Sequence, residues 1–208
     1  MTYIIGLTGG IGSGKTAASQ LFEQQGIHVV DADEVAHSIS RKPEIIEQVK
    51  THFGAEYITA DQQMDRPRLR EKIFNDIEAK QWLEGLLHPR IRNQMMQDLR
   101  SATSPYVILS APLLLENKLD KLVNRVLVID VSEATQRERA SARDNNSPET
   151  IEKIMAAQIS REDRLSKAND IIDNEGSLAA LEKQVLEHHK NYLSAAEKEA
   201  AAEPPSSP

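Results

Sequence analysis

The chain has 208 residues, only 4% of them aromatic, no cysteine and a formal net charge of −7. That length can bury a sizeable core, built here mostly from aliphatic side chains. The missing cysteines exclude disulfides, thiolate zinc sites and cysteine nucleophiles, and an acidic chain without a Lys/Arg block disfavours nucleic acid as a partner.

Tyr3 to Leu7 is a short apolar run ending in glycines and reads as a buried strand. Met1 to Leu7 has no positive n-region, so it is not read as a signal peptide. No stretch approaches the roughly 20 apolar residues of a membrane span. A cytoplasmic protein with no membrane partner and no obligate protein partner is therefore expected. Lys15 to Gln25 follows as a helix, and Ile27 to Asp31 as a second strand.

Residues 33–103 carry no strand signal of comparable strength. Ile45, Ile46, Val49 and Phe53 have helical spacing, as do Ile91, Met95 and Leu99. Pro43, Pro67 and Pro89 sit where helices could begin. This stretch is read as a helical insertion, with Trp82-Leu83 and Leu86-Leu87 as a core stripe. Tyr106 to Ser110 and Arg125 to Val131 predict the third and fourth strands. Residues 134–168 are strongly charged. Ser147-Pro148 marks a helix start there, and the turn from Asp144 to Ser147 predicts two charged helices forming a flap. Asp170 to Asp173 is a short fifth strand. From Ser177, a stripe at 178, 181, 185, 189 and 192 predicts a final amphipathic helix. Ala195 to Pro208 reads as a disordered tail with nothing to bury. Aliphatic strands alternating with helices imply an α/β fold with a parallel sheet covered on both faces.

Gly9, Gly10, Ile11, Gly12, Ser13, Gly14, Lys15 and Thr16 match G-x-x-x-x-G-K-[ST] in full, between a strand and a helix. Such a loop turns backbone N–H groups around phosphates at a helix N-terminus. Lys15 would reach the β/γ-phosphates of ATP, the Thr16 hydroxyl would hold Mg²⁺, and the Ala17 N–H would lie near the α-phosphate. Two other motifs overlap or follow this loop. Gly12-Ser13-Gly14-Lys15-Thr16-Ala17 fits the looser dinucleotide fingerprint of an oxidoreductase, with Asp31 near the ribose-binding distance. That pattern explains neither Lys15-Thr16 nor Gly9 and Gly10. Asn117-Lys118-Leu119-Asp120 is a literal match to the guanine-reading segment of a GTP-binding switch, but it precedes the fourth strand rather than following a strand.

Asp31-Ala32-Asp33 falls where the second strand ends, at the edge where ligands gather in parallel sheets. A kinase needs a carboxylate to take the acceptor's proton. From spacing alone, Asp33 is equally well the N-cap of a helix starting at Glu34.

The chain resembles the dephospho-coenzyme A kinase family over residues 3–193. The resemblance is carried by Leu7 to Thr16, Asp31-Ala32-Asp33, Leu69 to Phe74, Leu87 to Arg92, Pro112 to Glu116, Asn124 to Asp130, Gln158 to Arg161 and Asn169 to Asp173. It implies a P-loop NTPase three-layer core with a five-stranded parallel sheet, formed by residues 1–32, 104–133 and 169–194. It further implies a helical coenzyme-binding insertion over 33–103 and a helical lid over 134–168, leaving 195–208 as the tail. The implied activity is ATP-dependent phosphorylation of the ribose 3′-hydroxyl of dephospho-coenzyme A; a kinase of another small hydroxylated metabolite or nucleotide is the alternative. Within the resemblance Asp33 is the catalytic base, and Arg139 and Arg143 are lid arginines closing on the ATP phosphates. His88 and Arg92 fall in the insertion, Gln158 and Arg161 border the adenine, and Thr8 and Asp31 join them as candidate substrate contacts. Arg137 has no such match and reads as surface charge. Ser40 to Pro43 replaces a Pro-Gly pair common in the family, and Thr16 stands where Ser is common.

Overall fold

The computed structural model describes residues 2–144 and 147–202, without the side chains of Arg143 and Asp144. It divides into two compact units, Met1–Val30 with Leu99–Pro208, and Asp31–Asp98.

The first unit is built on a five-stranded parallel sheet. Its strands are β1 (Tyr3–Gly9), β2 (His28–Asp31), β3 (Tyr106–Ser110), β4 (Arg125–Asp130) and β5 (Asp170–Asp173), in the order β2-β3-β1-β4-β5. Ile5 pairs with Ile108 of β3 and Leu7 with Leu127 of β4, both in parallel register. Alternate residues Ile5, Leu7, Ile108, Leu127 and Ile129 pack against α1 (Lys15–Gln24) and α9 (Leu178–Ala202), through Phe22, Leu181, Val185 and Tyr192. Val107, Leu109, Val126 and Val128, of the other parity, are buried as well. Burial on both faces is why these strands read as unbroken aliphatic runs. Each such side chain contributes roughly 1.5–3 kcal/mol of burial. The connection after β1 leaves toward β2 and the one after β4 toward β5, so the crevice of the sheet opens at the C-terminal end of β1.

The charged segment after β4 forms α6 (Glu133–Asp144), α7 (Pro148–Ala157) and α8 (Arg161–Ser166). Ser147 caps α7 as expected, accepting from Thr150 N–H, and Pro148 sits in its first turn. The middle of the expected Asp144–Ser147 turn lies outside the described residues.

Two expectations about α9 are corrected. Residues 195–202 are not a tail: they continue α9, and Ala196 is buried in the core beside Tyr192. Ala, Glu and Lys are strong helix formers, so a helix already docked by Leu181, Val185 and Tyr192 propagates through them. The remaining tail residues, 203–208, lie outside the described residues. Leu178, at the start of the predicted stripe, is 65% exposed.

The second unit comprises α2 (Ala32–Ser40), α3 (Pro43–Phe53), α4 (Arg66–Asn75) and most of α5 (Ile77–Ser101), which crosses the unit boundary at its last turn. Ile45, Val49, Leu69, Leu83 and Leu86 form its core. His52 stacks on Trp82, ring centroids 3.7 Å apart, and Phe53 meets Trp82 edge-on. The expected stripe around Trp82 is thus packing. Pro43 and Pro67 open α3 and α4. Pro89 does not begin a helix; α5 runs through it. The carbonyl that Pro89 leaves without an N–H partner is that of Gly85, exposed and uncrowded, so the loss falls where water can replace it. Among the described residues no helix is long and apolar enough to cross a membrane.

Candidate active site

In the first unit the loop after β1 makes the sharp turn that its glycines permit. Gly12 and Gly14 sit at φ of 73° and 89°, a left-handed backbone that L side chains rarely adopt. Gly14 is the N-cap of α1, with no side chain capping the helix. The first-turn N–H groups of α1 therefore face the loop's concavity without a competing acceptor from a capping side chain, as a phosphate site requires. Ser13 is buried, and its hydroxyl has no hydrogen-bond partner among the described residues. Lys15 Nζ donates to Ser110 Oγ at 2.5 Å, which holds the ammonium at the end of β3. Thr16 is exposed on the first turn of α1.

Several side chains support the loop from behind, and sequence reasoning missed most of them. Asn174 Nδ2 donates to Ser13 O at 2.8 Å, while its N–H donates to Asp130 O. Ile11 N–H donates to Gln158 Oε1 at 3.1 Å. Arg164 and Gln136 are buried, and both crowd the place where a side chain at Gly10 would lie. Burial lowers the Arg164 pKa from its ordinary value, while Glu116 and Asp130 oppose that shift. An in-order reading of motifs stops at the loop. These supports come from remote segments, and only the fold brings them to it.

The other expected residues divide clearly. Arg161 makes two hydrogen bonds to Asp130, at 2.9 and 2.5 Å, which raise its pKa. Thr8 is buried, and its hydroxyl donates to Pro112 O, a structural contact. Arg137 bridges α6 to α7, reaching Glu152 at 2.5 Å and Glu133 at 3.1 Å. Arg139 lies within electrostatic reach of Glu175. Hydrogen bonds from Ser132 N–H and the Thr135 hydroxyl lower the Glu175 pKa, and Arg139 adds to the effect. The Arg143 side chain lies outside the described residues. A cavity of about 340 Å³ runs among α6, α7 and α8, bordered by Gln136, Gln158, Arg161 and Arg164. Lys118, in the guanine-segment look-alike, takes a positive φ of 56° and leads a short 3₁₀ turn before β4, so that motif is a connector.

In the second unit the Asp-Ala-Asp segment resolves sharply. Asp31 is the N-cap of α2; its Oδ1 accepts from Asp33 N–H at 2.9 Å and Glu34 N–H at 3.2 Å. Asp33 is therefore neither a cap nor a strand end. It sits exposed in the first turn of α2, where the helix dipole favours its charge. Val35 and Ile39 bury the opposite face. Asp33 borders a cleft of about 1070 Å³ that also holds Arg41, Arg66 and Arg70 and has an apolar wall of Ile73, Leu87 and Ile91. Arg66 donates to His37 Nδ1 at 2.8 Å and to Ser40 Oγ at 3.1 Å. Arg41, then desolvation and Arg66, lower the pKa of the exposed His37. His88 and Arg92 are exposed on α5 and do not border this cleft.

A parallel α/β sheet with a complete phosphate loop at the end of its first strand defines a P-loop nucleotide-binding protein. The dephospho-CoA kinase family profile matches residues 3–180. A dephospho-CoA kinase of Idiomarina loihiensis is 50% identical over 196 residues, covering 94% of this chain and 97% of that one. A crystal structure from Thermus thermophilus aligns at a TM-score of 0.81 with 30% identity, over 91% of this chain and 97% of that one. A dephospho-CoA kinase from Campylobacter jejuni aligns at 0.68 with 26% identity, over 94% and 99%. The chain belongs to the dephospho-CoA kinase family.

Proposed function

We propose that this protein transfers the γ-phosphoryl group of ATP to the ribose 3′-hydroxyl of dephospho-CoA. The observation that carries the reading is the family profile match, which spans both compact units rather than the phosphate loop alone. The loop from Gly9 to Ala17 cradles the nucleotide's phosphates, with Lys15 neutralising charge that builds between the β- and γ-phosphates. Thr16 would hold Mg²⁺ together with those phosphates; the exposed hydroxyl on the first turn of α1 fits that role. Asp33 accepts the hydroxyl proton. Its exposure on a cleft with three arginines supports this, since an anionic coenzyme needs cations beside the base. Arg139 and Arg143, on α6, act as the lid cations that stabilise the transferring group and exclude water.

The test is an ADP-release assay across dephospho-CoA, pantetheine phosphate, AMP, shikimate and buffer alone. Dephospho-CoA should be turned over well above the rest; equal or faster turnover of any other acceptor would overturn the reading. Lys15→Ala should leave native circular dichroism while turnover falls by more than about tenfold, over about 1.4 kcal/mol of lost barrier stabilisation.

A further inference from the structure

The three-residue junction between α7 and α8 is fastened on every side. Ile159 N–H donates to Glu116 Oε1 at 2.9 Å, in the loop after β3. Ile159 O accepts from Arg164 Nη2 at 2.8 Å. The neighbouring side chain, Gln158, takes the Ile11 N–H of the phosphate loop. Ser160 caps α8 through Asp163 N–H at 3.0 Å. Arg164, only 5% exposed, lies against Gly10, where a methyl group would come within 3.0 Å of its Nη1. Its charge faces Glu116 and Asp130. One peptide thus joins the lid root to the loop after β3, and the adjoining side chain joins it to the phosphate loop.

We propose that Glu116, Gln158 and Arg164 are positioning residues for phosphoryl transfer, which fasten the root of the lid to the phosphate loop and hold that loop in its nucleotide-binding shape. The proposal rests on the activity argued above. Its physical content is preorganisation. With Ile11 and Ile159 already tied by protein groups, ATP meets a loop that needs little ordering, and less of its binding energy goes to shaping the site. Loosening the tie should therefore raise KM for ATP more than it lowers kcat, and leave KM for dephospho-CoA unchanged.

The experiment pairs steady-state kinetics with amide hydrogen exchange on the ligand-free full chain. Gln158→Met keeps length but removes the acceptor for Ile11 N–H; Glu116→Leu removes the acceptor for Ile159 N–H. Each should speed exchange at its own amide and raise KM for ATP by about tenfold, the scale of a single hydrogen bond, while kcat changes by less than about threefold. Glu116→Gln, which keeps an acceptor oxygen, should recover most of the loss. Faster exchange at Ile11 in Gln158→Met with an unchanged KM for ATP would overturn the proposal, as would Glu116→Gln behaving like Glu116→Leu. If the parent protein releases no ADP with dephospho-CoA, the activity reading fails instead, and the exchange data still decide whether the junction is fastened. A variant with altered circular dichroism is replaced by Arg164→Lys, which keeps the charge but loses the planar fork and should show the same KM-weighted defect.

Discussion

Asp31 and Asp33 are two residues apart and have different surroundings. Asp31 spends its carboxylate on two backbone N–H groups of α2, whereas Asp33 borders the cleft. Asp33→Asn should keep shape and substrate affinity while turnover falls by roughly 10² to 10⁴, the usual scale of general base catalysis, measured under saturating ATP. Near-normal turnover would remove Asp33 from the chemistry. Asp31→Ala should instead lower stability by about 1 kcal/mol in urea unfolding, and Asp31→Asn should not, because Asn caps as well as Asp. Sequence spacing left base and cap open for Asp33, since the distinction hangs on whether α2 begins at Ala32 or Glu34. A two-residue shift in a helix boundary is set by backbone geometry, not by residue type. His37 offers a pH-dependent check. The neighbouring Arg41 disfavours its protonation, so the folded protein binds this proton more weakly than the unfolded chain, whose value is near 6.5. The stabilisation is present above that pH and is lost as pH falls through the lowered folded value. NMR titration should place His37 below 6.5, and Arg41→Ala should raise it; an unchanged midpoint would discard Arg41 as the main cause.

At the scale of elements, the strands were legible because burial on both faces leaves a run of aliphatic residues that nothing else explains. The phosphate loop was legible because its chemistry fixes both glycine and lysine positions. The extent of α9 was not. Ala195 to Ala202 has no large apolar residue to signal docking, yet Ala196 is buried where a small side chain lets α9 lie against the core. Ala196→Asp should cost about 1–3 kcal/mol, the price of burying an unpaired polar group, whereas the same change at exposed Ala200 should stay within about 0.5 kcal/mol. Equal effects in denaturant melts would show that the last turns of α9 are undocked. Earlier on the same helix, Tyr192 OH donates to Asp170, which also takes two hydrogen bonds from Arg125, and Tyr106 is hydrogen-bonded to His189. Burial drives the pKa of both tyrosines upward. No spacing in the sequence shows that this polar seam forms, because its members come from β3, β4, β5 and α9 and only topology assembles them.

At the scale of the whole molecule, the single tryptophan becomes a tool. Trp82 lies in the second unit, stacked on His52, and the next residue, Leu83, borders the arginine-lined cleft. Adding dephospho-CoA should shift Trp82 emission, and Lys15→Ala should keep that response, because its defect lies in the other unit. No emission change at saturating coenzyme would argue against the cleft as the coenzyme's site. The division into units also has a bearing on how the protein is made. Asp31–Asp98 is one continuous stretch, but the first unit is split around it. As the chain leaves the ribosome, β1 and the phosphate loop emerge before β3 and β4 and have no sheet to join until those strands follow. Ile5 must wait for Ile108, Leu7 for Leu127, and the face they share for Tyr192 on α9. Contacts so distant in sequence form slowly, so the phosphate loop is made before the strands that flank it and finds its shape only after they have arrived. During that interval an aliphatic strand stands exposed, and aggregation competes with folding until α9 can cover it.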